Sequence, residues 1–309
     1  MTLLACILSS SLVGVDSMMT AVALPAVAED LDVGLAAQQW VVAAFLVSLG
    51  SLLLVGGALD DLYDSWRIFA IGTAGFGAAA LVSTLAPNMA LLIGGRLLQG
   101  AMAALLIPSV LAVISSTFSG DERSRAIGTW TAWSGVSVIL GPLIGGLLVD
   151  AISWRAVYGV IVPFSALVLV LILRASPSGL RRSEGASIDR AGALLAVLLV
   201  GGPVFALIQG ARRRLGQPPG AGGVDGRGAR PRRVRWVGAT GPQPAAASVP
   251  VPEPQLQVLN LVTFILYAAL ISTGVYTILF LQQTAGYSPT EAGTAGIVGR
   301  FCRPPHRNP

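Results

Sequence analysis

The chain has 309 residues, of which 54% are hydrophobic and only 11% charged, with a net charge of +5 and a mean hydropathy of +0.74. Soluble domains carry about 25% charged residues, so this composition all but excludes a water-soluble globular fold. Two cysteines, Cys6 and Cys302, rule out a disulfide framework or a multi-cysteine metal site, and the single His306 leaves little room for histidine-based catalysis.

Charges punctuate the apolar residues at intervals that suit a bilayer. A hydrocarbon core about 30 Å thick takes roughly 20 apolar residues as a helix. Charge-free intervals, with Asp16 and Arg96 read as interruptions inside spans, predict spans near 3–25, 39–59, 67–86, 89–117, 125–149, 155–173, 190–208 and 257–282. Helices are the reasonable form, because an open strand edge cannot satisfy its backbone in lipid. The first span has no basic n-region and continues past Asp16 to Pro25, which is unlike a cleavable signal peptide. The fold expected is an all-α, multi-pass membrane protein whose partner is the bilayer.

Arginine in the short loops sets the orientation. Arg67 follows the second span, Arg123 and Arg125 the fourth, and Arg174, Arg181, Arg182 and Arg190 the sixth, whereas the alternate loops hold at most Arg155. That pattern predicts a cytoplasmic N-terminus. Residues 211–255 break the sequence of spans: eight Arg, eight Pro and eight Gly leave no apolar run long enough to cross. By itself the segment reads as a disordered basic linker. With Trp236 as its one aromatic residue it lacks the interleaving of a nucleic-acid surface, and no nucleic-acid partner is expected.

Three groups of residues carry chemistry. Arg96 lies well inside an apolar span, where a charge is costly and normally faces a bundle interior or an aqueous cavity. Gln99 is three residues on and shares its helix face, and Gly100, Ala103 and Ala104 let a neighbouring helix approach. A purely structural arginine, paired with carbonyls or a carboxylate, is the competing reading. Asp16 is an intramembrane carboxylate, able either to take a proton or simply to order a helix contact. In the fifth span, Gly141, Gly145 and Gly146 recur at close-packing spacing around Pro142, preceded by the small residues Gly128 and Ser137.

Together these segments resemble the major facilitator superfamily, in particular its fourteen-helix drug:proton antiporter branch. Asp16 through Ala-Leu-Pro25 is similar to that branch's first-helix motif, and Leu92 to Ala104 to its fourth-helix motif. Gly128, Gly141, Pro142, Gly145 and Gly146 match the fifth-helix antiporter motif, with Ser137 where a glycine is usual. Trp154-Arg155 with Pro163 resembles the start of helix six, and Asn260 through Gln282 to Gly293 resembles a later helix and loop. The loop after helix two departs from the family pattern. Gly57, Leu59 and Asp61 are kept and Arg67 follows, but Leu62, Asp64, Ser65 and Trp66 replace basic and glycine positions, which weakens the gating role implied for this loop.

The resemblance implies a six-helix bundle over 1–173, a loop and seventh helix over 174–210, and a further helix and loop over 256–298. It also implies a secondary transporter exporting amphiphilic or drug-like small molecules against protons. Asp16, Arg96 and Gln99 would line the cavity, and no cofactor or obligate protein partner is implied. A lysine-free chain cannot hold a phosphate-binding Gly-x-x-x-x-Gly-Lys loop, so energy would come from an ion gradient, with protons the expected ion. The alternatives are a truncated, frame-disrupted remnant without transport and, more remotely, a structural membrane subunit or membrane-embedded enzyme. The Arg/Pro/Gly excess of 211–255 and the abrupt change at 299–309 lead to the expectation that both are read out of frame.

Overall fold

In lipid a polypeptide satisfies its backbone only within helices or a closed barrel. The computed structural model describes residues 1–176 and 254–298, all of it helix and connecting turn with no strand among them. The helices are α1 (Thr2–Asp30), α2 (Leu35–Leu62), α3 (Ser65–Thr84), α4 (Met89–Thr117), α5 (Gly120–Ala151), α6 (Trp154–Gly159), α7 (Ile161–Ala175), α8 (Pro254–Gln283) and α9 (Pro289–Val298). The first five, and α6 with α7 taken together, are each long and apolar enough to cross a membrane. Leu53, Leu54, Leu98, Leu111 and Leu167 are among the large apolar side chains left on the outside, as expected where the solvent is hydrocarbon.

The fourth predicted span matches α4 to the residue, whereas others are corrected at their ends or interior. Helix α1 runs five residues beyond the predicted stop, with Pro25 held inside it. The sixth span is not one helix but two, parted at Val160. Pro163 is the cause: it has no N–H for the carbonyl of Gly159, and its ring crowds that carbonyl. Residues 289–298 form a second helix rather than a loop. Ser288 and Glu291 close a capping box at its start, Ser288 N donating to Glu291 Oε2 at 3.0 Å and Glu291 N to Ser288 Oγ at 3.2 Å. Pro289 takes the first helical position, where no N–H is needed. The predicted seventh span at 190–208, the segment 211–255 and the tail 299–309 lie outside the described residues.

Packing follows a swap. Helix α2 lies along α4, α1 along α5, and α3 against α7. Exchanging α1 with α4, α2 with α5 and α3 with α7 maps the first two pairings onto each other and the third onto itself. Two three-helix units of opposite topology give this pattern, the arrangement of inverted repeats. Glycines allow the approach: a Cβ on Gly72 would stand 3.0 Å from the backbone nitrogen of Leu106, and one on Gly100 2.9 Å from Ser48 Cβ. The core between the units holds Leu12, Met19, Phe45, Phe69, Phe76, Leu92, Leu106 and Tyr158.

Helices α8 and α9 lean on α1 and α5. Gln282 Nε2 donates to the carbonyl of Val22 at 3.2 Å, and Thr290 N to Asp150 Oδ2 at 2.9 Å. These contacts share an end of the bundle with the Asp30–Arg155 ion pair, 2.8 Å long, whose arginine also donates to Ala86 O and whose aspartate accepts from the Trp154 indole at 3.0 Å. The turn at 63–64, with Asp64 Oδ1 accepting from Trp66 N at 2.7 Å, marks the opposite end.

Candidate functional site

The middle of the bundle holds a charge pair. Asp16 on α1 and Arg96 on α4 are 0% and 1% exposed, and Arg96 Nη1 lies 2.5 Å from Asp16 Oδ2. Gln99, one turn along α4 from Arg96, completes a triangle. Its Oε1 accepts from Arg96 Nη1 at 2.9 Å, and its Nε2 donates to Asp16 Oδ1 at 3.2 Å. Arg96 Nε donates to the carbonyl of Val41 on α2 at 3.3 Å. Both carboxylate oxygens therefore have donors, and the guanidinium has two acceptors of full or partial negative charge besides the amide.

Aromatic faces enclose the cation. The guanidinium carbon sits 4.5 Å from the Phe45 ring centroid and 5.8 Å from that of Tyr158. A desolvated cation over a ring is worth about 2 kcal/mol, which helps offset the loss of water. Local sequence builds this arrangement. Arg96 and Gln99 share a face because they are three residues apart on a helix, and Gly100 lets α2 come close enough for Phe45 to cover the guanidinium. Three sequence-predicted residues are thus brought together, in a geometry that also meets the structural reading of the arginine. Phe45, Tyr158 and Val41 were not predicted as members. Apolar residues in an apolar chain carry no signal of their own, and a backbone carbonyl carries none.

The fifth-helix residues divide. A Cβ on Gly141 would stand 2.5 Å from Met18 Cβ and 3.2 Å from Val15 O, and one on Gly145 2.8 Å from Met19 Cα. Gly146 faces α9 instead, where a Cβ would lie 2.6 Å from Thr290 Cα; the carbonyl of Pro142 abuts Gly293 of α9. Helix α5 is therefore clasped on two sides through its small residues. Ser137, larger than the usual glycine, is accommodated because its neighbour across the seam is Gly14, where a Cβ would meet Ser137 Cβ at 3.3 Å. Gly128 is exposed with open space around it and belongs to neither contact.

The loop residues do not converge on the charge pair. Gly57 lies in α2 with open space beside it, Asp61 is in the last turn of α2, and Arg67 is exposed on the first turn of α3. Asp60 is the buried carboxylate of this turn, accepting from Ser65 Oγ at 2.9 Å.

Comparison with known proteins agrees with this architecture. A family profile described as Major Facilitator Superfamily matches residues 6–302. The tetracenomycin C resistance and export protein of Streptomyces glaucescens is 35% identical over 211 residues, covering 68% of this chain and 38% of that protein. The puromycin resistance protein of Streptomyces alboniger is 39% identical over 185 residues, 60% of this chain and 37% of that one. The chain thus spans less than two fifths of the length of these relatives. Among solved structures, a peptide transporter in complex with sulfate superposes with a TM-score of 0.55 at 15% identity, over 70% of this chain and 47% of that one, a likeness of fold alone.

Proposed function

Because this chain belongs to the Major Facilitator Superfamily and is a multi-pass membrane protein, we propose that it acts in proton-coupled export of amphiphilic, drug-like small molecules. Family membership sets it among transporters rather than enzymes. The observation that carries the finer reading is the buried Asp16–Arg96–Gln99 triangle. A carboxylate in a dry bundle holds a proton or a cation partner but not neither. Exchange of the Arg96 partner for a proton therefore switches Asp16 between two states of different charge. A helix pair that packs in one way around the ion pair packs in another around a neutral acid, and that difference is what a rocking bundle needs. The relatives described above, a tetracenomycin C resistance and export protein and a puromycin resistance protein, support a drug-like substrate class.

In this reading the protein lies in the cell membrane with its N-terminus and the Arg67, Arg123 and Arg174 loops in the cytoplasm. It follows that the end bearing Asp30, Asp150 and Arg155 faces outward. The fifth helix, tightened by Gly141 and Gly145 on one side and Gly146 on the other, forms the seam between the two groups of helices, and the turn at 63–64, flanked by Gly57, Asp61 and Arg67 on α2 and α3, serves as the gate. The test is substrate-dependent proton flux through the full chain in liposomes. Dye accumulation driven by an imposed pH gradient, lost in Asp16→Asn, supports the proposal. Accumulation that is absent from the parent identifies an inactive remnant, and accumulation unchanged in Asp16→Asn removes the carboxylate from coupling.

A further inference from the structure

The first turn of α9 is completed from another helix. Glu291 Oε2 accepts from Ser288 N, Ser288 Oγ accepts from Glu291 N, and Pro289 has no N–H to place. Thr290 N is the remaining donor of that turn, and it goes to Asp150 Oδ2 on α5 at 2.9 Å. The contact continues along α5, where Pro142, Gly146 and Asp150 recur every four residues and so share a face. Gly146 takes the backbone of Pro289 and Thr290 with no room for a Cβ, and the Pro142 carbonyl abuts Gly293. We propose that Asp150 is the latch of this seam: its carboxylate caps the α9 N-terminus and holds α9 on α5, keeping shut the end that bears Asp30 and Arg155.

Charge and direction set this contact apart from its neighbours. Close packing at glycines is non-directional, so by itself it lets two helices slide. A carboxylate on a helix N-terminus has a fixed geometry, meets the positive end of the helix dipole and makes a charge-assisted bond. Asp150 is exposed and takes part in neither of the two ion pairs among the described residues, which leaves the α9 N-terminus as its positive partner. The bonds from Gln282 to Val22 and from Gln283 to Gln38 are neutral, at 3.2 and 3.4 Å. The Asp30–Arg155 pair joins α1 to α6, with Ala86 O as a further acceptor, so it travels with the first seven helices and does not oppose the departure of α9.

The inference rests on the reading of α5 as the seam between two groups of helices that rock. A latch of one bond suits that motion. It sits in the last turn of α5, where parting at this end begins, and both its atoms are exposed. On opening, the carboxylate and the Thr290 N–H each pass to water, so no buried polar group is left without a partner. The Asp16–Arg96 contact stays inside the bundle throughout.

The test measures the distance across the seam. Spin labels are placed at Ile152→Cys, just beyond α5 and 71% exposed, and at Thr294→Cys on α9, in the full chain in nanodiscs with Cys6→Ala and Cys302→Ser. The parent is expected to show mainly one short distance. Asp150→Ala should raise the ratio of a longer-distance population to the short one about tenfold. Asp150→Asn, which keeps an oxygen without the charge, should fall between the two, and Asp150→Glu should return toward the parent. Gly146→Leu, which pries α9 from α5 by its bulk, lengthens the distance whatever else holds the helices. A parental distribution in Asp150→Ala while Gly146→Leu lengthens overturns the latch and leaves the seam standing. Equal opening in the alanine, asparagine and glutamate variants also overturns it, since packing and not charge then holds α9. No lengthening in any variant, Gly146→Leu included, overturns the seam, and the latch with it.

Discussion

Replacing Asp16 by asparagine removes the charge from one side of the 2.5 Å contact with Arg96 and leaves the guanidinium to Val41 O and Gln99 Oε1. A buried ion left without its partner costs about 3–5 kcal/mol. Arg96→Gln is expected to cost a similar amount at neutral pH, since the carboxylate keeps only the Gln99 amide. The double variant buries no charge, and a neutral pair of similar volume is often no worse than the ion pair it replaces. Its destabilisation should therefore fall short of the sum of the two singles by about 6 kcal/mol or more, the two single costs together. Equilibrium unfolding of the purified chain in mixed micelles, followed by tryptophan fluorescence, measures all four corners of the cycle. Acid separates the singles: the carboxylate left in Arg96→Gln can escape by binding a proton, whereas an arginine does not deprotonate. The cost of Arg96→Gln should shrink as pH falls and that of Asp16→Asn should not. Single costs that add to the double within about 0.5 kcal/mol would refute the buried coupling altogether.

Gly145→Leu should destabilise by about 1–3 kcal/mol or more, because the new side chain meets the Met19 backbone rather than a movable tip; thermal unfolding with parental Tm would place Gly145 away from the seam. Ser288→Ala should remove the capping box of α9 and cost about 1 kcal/mol, seen as faster hydrogen exchange at the Glu291 amide, which loses its acceptor, while α5 is unchanged. For 211–255, sequencing and translating the coding DNA in the other two frames should give an apolar run of about 20 residues; its absence from both frames would establish a genuine basic linker.

What the sequence made legible was whatever lipid enforces. Apolar stretches between charges located the described spans, since a membrane helix must be both long and apolar, and the depth of Asp16 and Arg96 marked them as inward-facing before any partner was visible. The pairing of those two across 80 residues was not legible, because nothing local distinguishes an arginine bound to carbonyls from one bound to a carboxylate. The break at Val160 could have been read from Pro163, and the start of α9 from Ser288-Pro-Thr-Glu291, a capping-box signature with proline at the first helical position. Gly128 misled in the other direction: a motif glycine with open space around it gives no packing signal.

Among the described residues, the hydrogen bonds from α8 and α9 to the first seven helices, from Gln282 to Val22, Gln283 to Gln38 and Thr290 to Asp150, fall toward one end. Farther along α8, Val258, Leu261, Val262, Ile265 and Leu266 are exposed. Mechanically, an arm tied only there would turn as a lever about that end. A tilt of about 10° about that end would sweep the far end of a helix about 45 Å long through about 8 Å with no helix bending. The glutamine amides are suited to a fulcrum, because two weak neutral bonds resist sliding yet yield to rotation, where an ion pair in the same place would lock the arm.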